Sequence, residues 1–303
     1  MDNWRTFYPN NYPKQAMCRF TFYQGRPIRI GSLITEPDHS LINQSFNAQE
    51  RDEPLNGDGF GLGWYNHQIS DEPATFKSVT PAWNNRNLLQ LSRITESTCI
   101  LAHVRAATQG LQVAESNCHP FTFKQYAFMH NGDIGGFSRI RRKLLESLSD
   151  EAFNQIKGST DSEHFFAILQ DELTKRDTLD MHDRMSSSLM ATIRKVMNLC
   201  TSMQVNEHSY INAVLTNGHL AVAVRFTTDQ PEEADSLYLN IGRKYVCEEG
   251  VCSMIDPGEN EKAVIISSEP LSNDPGWESI PVNSMVVVNE GRVLDRLTID
   301  PDW

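Results

Sequence analysis

The sequence has no hydrophobic run long enough to cross a membrane. Its longest apolar stretches fall well short of the ~20 residues that a helix needs to span a bilayer. The first sixteen residues, MDNWRTFYPNNYPKQA, lack the apolar segment of a secretory signal. We therefore expect a soluble, cytoplasmic protein with no membrane partner.

Positive charge is also scarce. The chain has 27 Lys and Arg against 39 Asp and Glu, a formal net charge of −12 and a pI near 5.2. This balance argues against nucleic acid and anionic membranes as partners. The one dense basic cluster, residues 139–143, lies in an amphipathic helical pattern, and we expect it on a solvated helix face.

Cysteines are few, and their spacing does not suggest a set of disulfide bonds. The six, at positions 18, 99, 118, 200, 247 and 252, include no CxxC pair and no spacing typical of a disulfide scaffold. We expect the thiols to be reduced. Four residues separate Cys247 from Cys252, with no second pair at zinc spacing, so no zinc site is expected there.

Motifs for metals and phosphates are missing too. The spacings of His103, His119 and His130 do not match a metal site, and buried histidines commonly bind the backbone instead. The glycine-rich segment 56–63, NGDGFGLG, lacks the Lys and Ser/Thr of a P-loop and precedes a strand. We expect no metal and no cofactor, and we expect a tight turn at 56–63 beside the functional site.

The chain shows no linker-like stretch after residue 17 and no internal repeat. Asn217-Gly218 predicts a hairpin, and Ser159 or Thr160 is expected to cap a helix over 160–175. Apolar patterns predict strands over 18–22, 59–65, 75–79, 99–107, 126–132, 210–217, 220–227, 236–242, 263–269 and 284–290. They predict helices over 39–50, 86–95, 138–148, 160–175 and 183–204.

This order of elements indicates the fold class. Grouped strands, then helices, then more hairpins do not fit the alternating pattern of a parallel sheet. Two antiparallel sheets with helices outside them fit better. The sequence therefore predicts an α+β fold, a four-layer αββα sandwich.

Met17-Cys18 is the first candidate for chemistry. Removal of the residues before Cys18 would expose a cysteine with a thiol and a free α-amine. These two groups form a nucleophile and its base within a single residue.

Arg105 and Asp161 are candidates for binding charged groups. Arg105 ends the apolar run CILAHVR, where it either pairs with a core carboxylate, lies at a strand end, or grips a substrate carboxylate with two hydrogen bonds. Asp161 begins a predicted helix, where it is either a first-turn residue or a partner for a substrate ammonium. Together, the pair would recognise the head group of an α-amino acid.

Asn131-Gly132 follows an aromatic strand. The pair is either a turn or an oxyanion hole, in which an Asn amide and the Gly backbone N–H stabilise negative charge. Glycine would allow the close approach of a ligand to the backbone.

Taken together, these motifs resemble the class II (N-terminal-nucleophile) glutamine amidotransferase family over residues 17–290. The resemblance implies that Cys18 is the nucleophile and that Asn131 and Gly132 form the oxyanion hole. It also implies which residues bind the substrate: Arg105 and Thr108 its carboxylate, Asp161 its amino group, with His130 beside them.

Further motifs resemble a branch of small stand-alone members. They are MCRF, NGDGFG, PAWNN (81–85), NCHPF, MHNG, GSTDSE (158–163) and SSEPL (267–271). The branch includes the γ-glutamyl hydrolase of ergothioneine synthesis and the amidotransferase-like γ-glutamyl hydrolase subunit of the fungal glutathione-degrading complex. PAWNN and GSTDSE are most similar to the second. The sixteen residues before Met17 depart from the pattern, since the family nucleophile is the first residue of the mature chain.

The resemblance implies a domain plan and an activity. Residues 1–17 are expected to be a leader, a propeptide or a misassigned start, and 18–303 a single domain. The implied activity is hydrolysis of γ-glutamyl amide or peptide bonds through a thioester. The alternatives are a glutaminase subunit that supplies ammonia to a separate synthase, and an unprocessed, inactive binding subunit. Implied partners are a γ-glutamyl small molecule, and either a metallopeptidase-type subunit or a second copy of the chain.

Overall fold

Two antiparallel β-sheets lie face to face at the centre of the fold. The computed structural model describes residues 18–50, 55–106, 113–248, 251–256 and 262–300. In chain order the strands are β1 Arg19–Arg29, β2 Phe60–Asn66, β3 Ser70–Ser78, β4 Glu96–Val104, β5 Phe121–Phe123, β6 Tyr126–Asp133, β7 Tyr210–Thr216, β8 Leu220–Thr227, β9 Tyr238–Gly242, β10 Lys244–Glu248, β11 Val251–Ile255, β12 Ala263–Ser267, β13 Trp277–Ser279, β14 Ser284–Asn289 and β15 Arg292–Thr298.

The strands form two large sheets and one small one. The first sheet has the order β13-β9-β12-β1-β4-β2-β3, and the second has the order β15-β14-β8-β7-β6-β5. Strands β10 and β11 pair separately. Neighbouring strands in both large sheets run antiparallel.

Helices cover the outer faces of the sheets. They are α1 Gly31–Ile34, α2 Leu41–Gln44, α3 Arg86–Ile94, α4 Phe137–Glu146, α5 Asp150–Gln155, α6 Asp161–Lys175 and α7 Met181–Ser202. Side chains of α1, α2 and α3 share a core with the first sheet, and those of α4, α6 and α7 share a core with the second. The predicted four-layer αββα sandwich is confirmed.

A third core lies between the two sheets, and strand alternation explains it. In β1, Phe20 and Phe22 enter the core between the sheets, whereas Tyr23 packs against the outer helices. In β6, Ala127 and Met129 enter the same inner core. Each strand therefore presents one row of side chains to the space between the sheets.

Several local predictions are confirmed. Thr160 caps α6, and its side chain accepts a hydrogen bond from the Glu163 backbone. The hairpin at Asn217 joins β7 to β8, with Gly218 in the left-handed region at φ +90°. The basic cluster 139–143 lies on α4 and exposes its charged side chains, while Ile140 is buried.

The predicted helix over 39–50 is wrong in extent. Only one turn, α2, forms there, capped by Ser40. The Gln44 side chain donates to the carbonyl of His39, and the Gln49 backbone N–H donates to the side chain of Glu269. These tertiary contacts replace a continued helix. The sequence patterns also missed α1, α5, β5, β10, β11, β13 and β15, which are short or half-exposed.

The prediction that all cysteines are reduced is wrong for one pair. Cys247 and Cys252 form a disulfide. They are direct cross-strand partners in the β10–β11 pair, which places their side chains together. The sequence patterns did not predict these two strands, so they gave no sign of this bond. Cys18, Cys99, Cys118 and Cys200 are free thiols.

None of the helices in the described ranges is both long and apolar enough to cross a membrane.

Candidate active site

The candidate residues meet at one end of the sandwich. Arg19 at the start of β1 pairs with Val104 at the end of β4, so Cys18 and Arg105 lie at the same sheet edge. Cys18 continues the inner row of Phe20, and Arg105 continues the inner row of Leu101. The sequence order alone does not show this convergence, because these strands are far apart in the chain.

Cys18 lies half-buried at this edge. Its Sγ atom is 3.7 Å from the carbonyl oxygen of Ala106. Burial raises the pKa of the Cys18 thiol to about 11, and the negative charge of Asp161 adds to this rise. The positive charges of Arg105 and Arg19 oppose it. The thiol is therefore protonated at neutral pH and needs a base to become a nucleophile.

The glycine-rich segment 56–63 fixes the backbone of Arg105 through two hydrogen bonds. The N–H of Arg105 donates to the carbonyl of Gly59 at 2.8 Å, and its carbonyl accepts from the N–H of Asp58 at 3.0 Å. Gly59 adopts φ +111°, a conformation that favours glycine. Residues 56–59 thus form a loop with a bend at Asp58 beside the site, whereas residues 60–63 of the predicted turn belong to strand β2.

Arg105 is 4% exposed, and its Nη1 atom has no hydrogen-bond partner among the described residues. Among the residues that the structure describes, no carboxylate forms an ion pair with it. Within the described ranges, Arg105 therefore does not form the ion pair with a core carboxylate that the sequence left open. A buried guanidinium with an unused donor is suited to a carboxylate ligand.

Asn131 and Gly132 lie within β6, so the alternative that they form a turn is wrong. Asn131 pairs with Asn212 of β7, is 2% exposed, and its Oδ1 atom has no partner in the described chain. It continues the inner row of Met129. Gly132 adopts φ +143°, and a Cβ atom there would lie 1.9 Å from the carbonyl oxygen of Tyr210. Only glycine fits this position.

Asp161 is the first residue of α6. One carboxylate oxygen accepts from the N–H of Ile134 at 2.8 Å, and the other accepts from the N–H of Ser162 at 2.7 Å. The helix N-terminus favours a negative charge here. The helix cap is Thr160, so Asp161 is free to serve another group while it fixes the end of β6 to α6.

His130 lies on the face of β6 opposite Asn131. Its Nδ1 atom is 2.8 Å from the Ser162 hydroxyl, and its ring stacks on Phe165 of the helical layer. Burial lowers the pKa of His130, and the charge of Asp161 partly offsets this effect. The structure therefore does not bring the His130 ring into the row of Arg105 and Asn131, and its role in substrate binding remains a prediction.

Two further histidines belong to this end of the sandwich. His103 lies in β4 two residues before Arg105, and its Nε2 atom is 3.1 Å from the carbonyl oxygen of His130. Its ring stacks on His119, with centroids 4.1 Å apart. Burial lowers the pKa of His103 to about 3 and that of His119 well below its usual value. From the sequence, these histidines were considered only as metal ligands. The alternation of side chains along β4 could have placed His103 on the same face as Arg105.

Thr108 and the expected leader, residues 1–17, lie outside the described residues. Their predicted roles stay predictions.

Two groups of potential ligand atoms in the described ranges are close enough for a metal ion. One comprises Glu36, Cys247 and Cys252, whose two cysteines are joined in the disulfide. The other comprises Asp180, His182 and Asp183 at the start of α7. Neither group contains a residue of the candidate site.

The chain was compared with known proteins. Residues 35–238 match the sequence profile of the class II glutamine amidotransferases. The chain is 38% identical to the probable glutamine amidotransferase DUG3 of Saccharomyces cerevisiae, over 94% of this chain and 85% of that protein. It is 25% identical to the γ-glutamyl-hercynylcysteine sulfoxide hydrolase of Mycobacterium tuberculosis, over 92% of this chain and 98% of that protein.

A solved structure shows the same fold. It is the glutamine aminotransferase class-II domain protein from Silicibacter pomeroyi, with a TM-score of 0.64, 24% identity and coverage of 94% of this chain and 100% of that one. The profile match covers more than half of the chain, and the yeast relative is similar over most of its own length. The chain therefore belongs to the class II glutamine amidotransferases and is an enzyme of the amidohydrolase type.

Proposed function

We propose that this enzyme hydrolyses γ-glutamyl amide or peptide bonds, with Cys18 as the nucleophile. One observation carries the proposal: the pairing of β1 with β4 brings Cys18 beside Arg105, a buried guanidinium whose Nη1 atom has no partner among the described residues. This guanidinium is suited to the carboxylate of a glutamyl head group, and the carboxylate of Asp161, whose charge also acts on the Cys18 thiol, is suited to its ammonium.

The relatives support the choice of bond. The name of the mycobacterial relative describes hydrolysis of a γ-glutamyl compound, and the name of the yeast relative describes a glutamine amidotransferase. Glutamine is itself a γ-glutamyl amide, so both names describe attack at the same carbonyl carbon.

The first chemical step is attack of the thiol. The α-amine of a processed Cys18 takes the thiol proton, directly or through one water, and the sulfur bonds to the γ-carbonyl carbon. The carbonyl becomes an oxyanion, which the Asn131 side-chain amide and the Gly132 N–H stabilise. Loss of one such donor typically lowers turnover by about 10²–10³.

The second stage releases the products. The oxyanion collapses, the C–N bond breaks, and the leaving nitrogen takes the proton held by the α-amine. A γ-glutamyl thioester remains on Cys18. Water then attacks the thioester, which yields glutamate and restores the thiol.

A free α-amine is central to this mechanism. Because burial raises the pKa of the thiol to about 11, little thiolate exists at neutral pH without a base. An ordinary α-amine has a pKa of roughly 7.7–8.0, whereas an amide nitrogen at the same position cannot accept a proton. We therefore propose that the active chain begins at Cys18.

The test combines intact mass with turnover. Mass spectrometry of the native protein identifies its first residue, and turnover of glutamine, glutathione and γ-glutamyl-cysteine identifies the leaving group. Cys18→Ala should abolish hydrolysis, whereas Cys200→Ala, which removes a buried free thiol of α7, should not. A diazo-ketone analogue of glutamine should label Cys18 alone among the free thiols.

Other results would select the alternatives. Release of ammonia from glutamine without cleavage of the two peptides would favour a glutaminase subunit. A chain that keeps Met1 and hydrolyses no substrate would favour an inactive binding subunit. Full activity with Met1 intact, or labelling mainly at Cys99 or Cys118, would contradict the mechanism. Native mass measurement also reports whether a second copy or a metallopeptidase-type subunit is bound.

A further inference from the structure

The motif SSEPL contacts the start of β1 one residue at a time. The Ser267 hydroxyl lies 2.8 Å from that of Thr21, and the Ser268 hydroxyl accepts from the N–H of Phe20 at 3.1 Å. The next residue, Glu269, accepts from Nε of Arg19 at 2.9 Å. Three successive side chains of this motif thus fix the three residues that follow Cys18.

Arg19 extends this series of contacts to Cys18 itself. Its Nη1 atom donates to the carbonyl oxygen of Cys18 at 3.0 Å while Nε is held by Glu269. The second oxygen of Glu269 lies 2.7 Å from Nε2 of His39 and accepts from the N–H of Gln49 at 2.9 Å.

The network is deeply buried. Arg19 is 3% exposed, His39 7% and Glu269 0%. Burial would raise the pKa of Glu269, but the hydrogen bonds from His39 and Gln49 and the charge of Arg19 hold it at about 2. Apolar side chains of similar volume often stabilise a core as well as a buried ion pair does, so stability alone is a weak reason for this network.

The network lies on the far side of the sheet from the candidate site. Phe20 and Phe22 face the core between the sheets, and β1 side chains alternate, so Arg19 faces the outer helical layer with Tyr23. Arg19 therefore reaches Cys18 through its backbone carbonyl and not from within the site.

We propose that Arg19, anchored by Glu269 and His39, is a positioning residue that sets the direction of the Cys18 thiol. This inference rests on the proposed function. A nucleophile that is the first residue of its chain has no preceding peptide bond to hold it. Its carbonyl is then a principal point at which the protein can fix its orientation, and Arg19 holds that point.

The test measures covalent labelling by the diazo-ketone 6-diazo-5-oxo-norleucine, with the labelled residue identified by mass spectrometry. The dependence of the labelling rate on reagent concentration gives a binding constant and a maximal rate for Cys18. The leaving group of the natural substrate need not be known. For Arg19→Gln, the maximal rate should fall by about ten- to a hundredfold, while the binding constant stays within about threefold. Arg19→Lys should recover only part of the rate, because one ammonium cannot hold both Glu269 and the Cys18 carbonyl.

Arg29→Gln is the matched control. Arg29 lies on the same strand, and its ion pair with Glu36 is half-exposed, so its loss should leave both constants unchanged. Equal maximal rates in wild type and Arg19→Gln would overturn the inference. If Arg19→Gln does not fold, a folded Arg19→Lys with the wild-type rate would overturn it equally. Absence of Cys18 labelling in the wild type would instead contradict the proposed function.

Discussion

The Nε2 atom of His103 lies 3.1 Å from the carbonyl oxygen of His130, so a side chain of one sheet holds the backbone of the other. A carbonyl oxygen can only accept, so Nε2 of His103 carries the proton. This carbonyl belongs to the peptide bond that joins His130 to Asn131. The two sheets are thus tied together at the point where the proposed oxyanion hole begins.

His103→Phe should destabilise the protein. The variant keeps an aromatic ring but leaves the buried carbonyl of His130 without its donor, which costs about 1–3 kcal/mol. The free energy of unfolding in urea measures the effect. His119→Phe is the control: within the described ranges the ring nitrogens of His119 have no partner, so the same substitution breaks no hydrogen bond there and should cost less. An equal loss in both variants would argue against the tie between the sheets.

The buried histidines should make stability depend on pH. The pKa of His103 is about 3 in the folded chain and about 6.5 in an unfolded one, so between these values only the unfolded chain binds the proton. Burial of neutral His103 therefore lowers the free energy of unfolding only below about pH 6.5. From there it falls by about 1.4 kcal/mol for each pH unit of acidification. Burial lowers the pKa of His119 and His130 in the same direction.

Urea unfolding at pH 7.5, 6 and 5 measures this dependence. Stability should fall over the series, and the fall should be shallower in His119→Phe. Equal free energies of unfolding at pH 7.5 and pH 5 would contradict the prediction.

Arg105→Lys should weaken substrate binding. A lysine ammonium cannot make the two parallel hydrogen bonds that a guanidinium makes to a carboxylate. We expect KM for the preferred γ-glutamyl substrate to rise by about tenfold or more. Arg139→Lys, on the exposed face of α4, should leave KM unchanged. Equal cleavage of α-amidated and free γ-glutamyl substrates by the wild type would assign Arg105 a structural role.

Asp161→Asn should raise KM more than it lowers kcat. The variant removes the charge that would pair with a substrate ammonium, which is a loss of binding in both the ground state and the transition state. Asp150→Asn, at the first turn of α5, is the control. If N-acylated γ-glutamyl substrates are cleaved as fast as free ones, Asp161 serves only to join Ile134 to α6.

Gly132→Ala should destabilise the fold as well as the site. A positive φ costs a non-glycine residue about 1–3 kcal/mol, and the new methyl group would overlap the carbonyl of Tyr210. Urea unfolding should show this loss. Gly57→Ala is the control, because Gly57 has no positive φ and the atoms nearest to its Cβ would be side-chain atoms, of Trp83 at 3.1 Å and of Pro81 at 4.0 Å. An unchanged unfolding free energy in Gly132→Ala would show that β6 can shift at this point.

Local rules were enough to predict much of the fold from the sequence. The alternation of apolar residues located the long strands, and the cap at Thr160 located the start of α6, because both patterns depend on neighbours in the chain. The Asn217-Gly218 hairpin depends on local backbone conformation in the same way. Short and half-exposed elements such as β10 and β11 carry no such pattern, and the disulfide between Cys247 and Cys252 was missed with them.

The family and the residue types of the site can be inferred from sequence, since motifs such as HVRAATQG and MHNG are contiguous in the chain. The tertiary structure decided how those motifs meet. The register of β1 with β4 brings Cys18 to Arg105, and the turn at Gly59 fixes the backbone of Arg105. Glu269 reaches Arg19 across 250 positions of sequence. Such contacts depend on how the sheets pair and stack, which no local pattern of residues encodes.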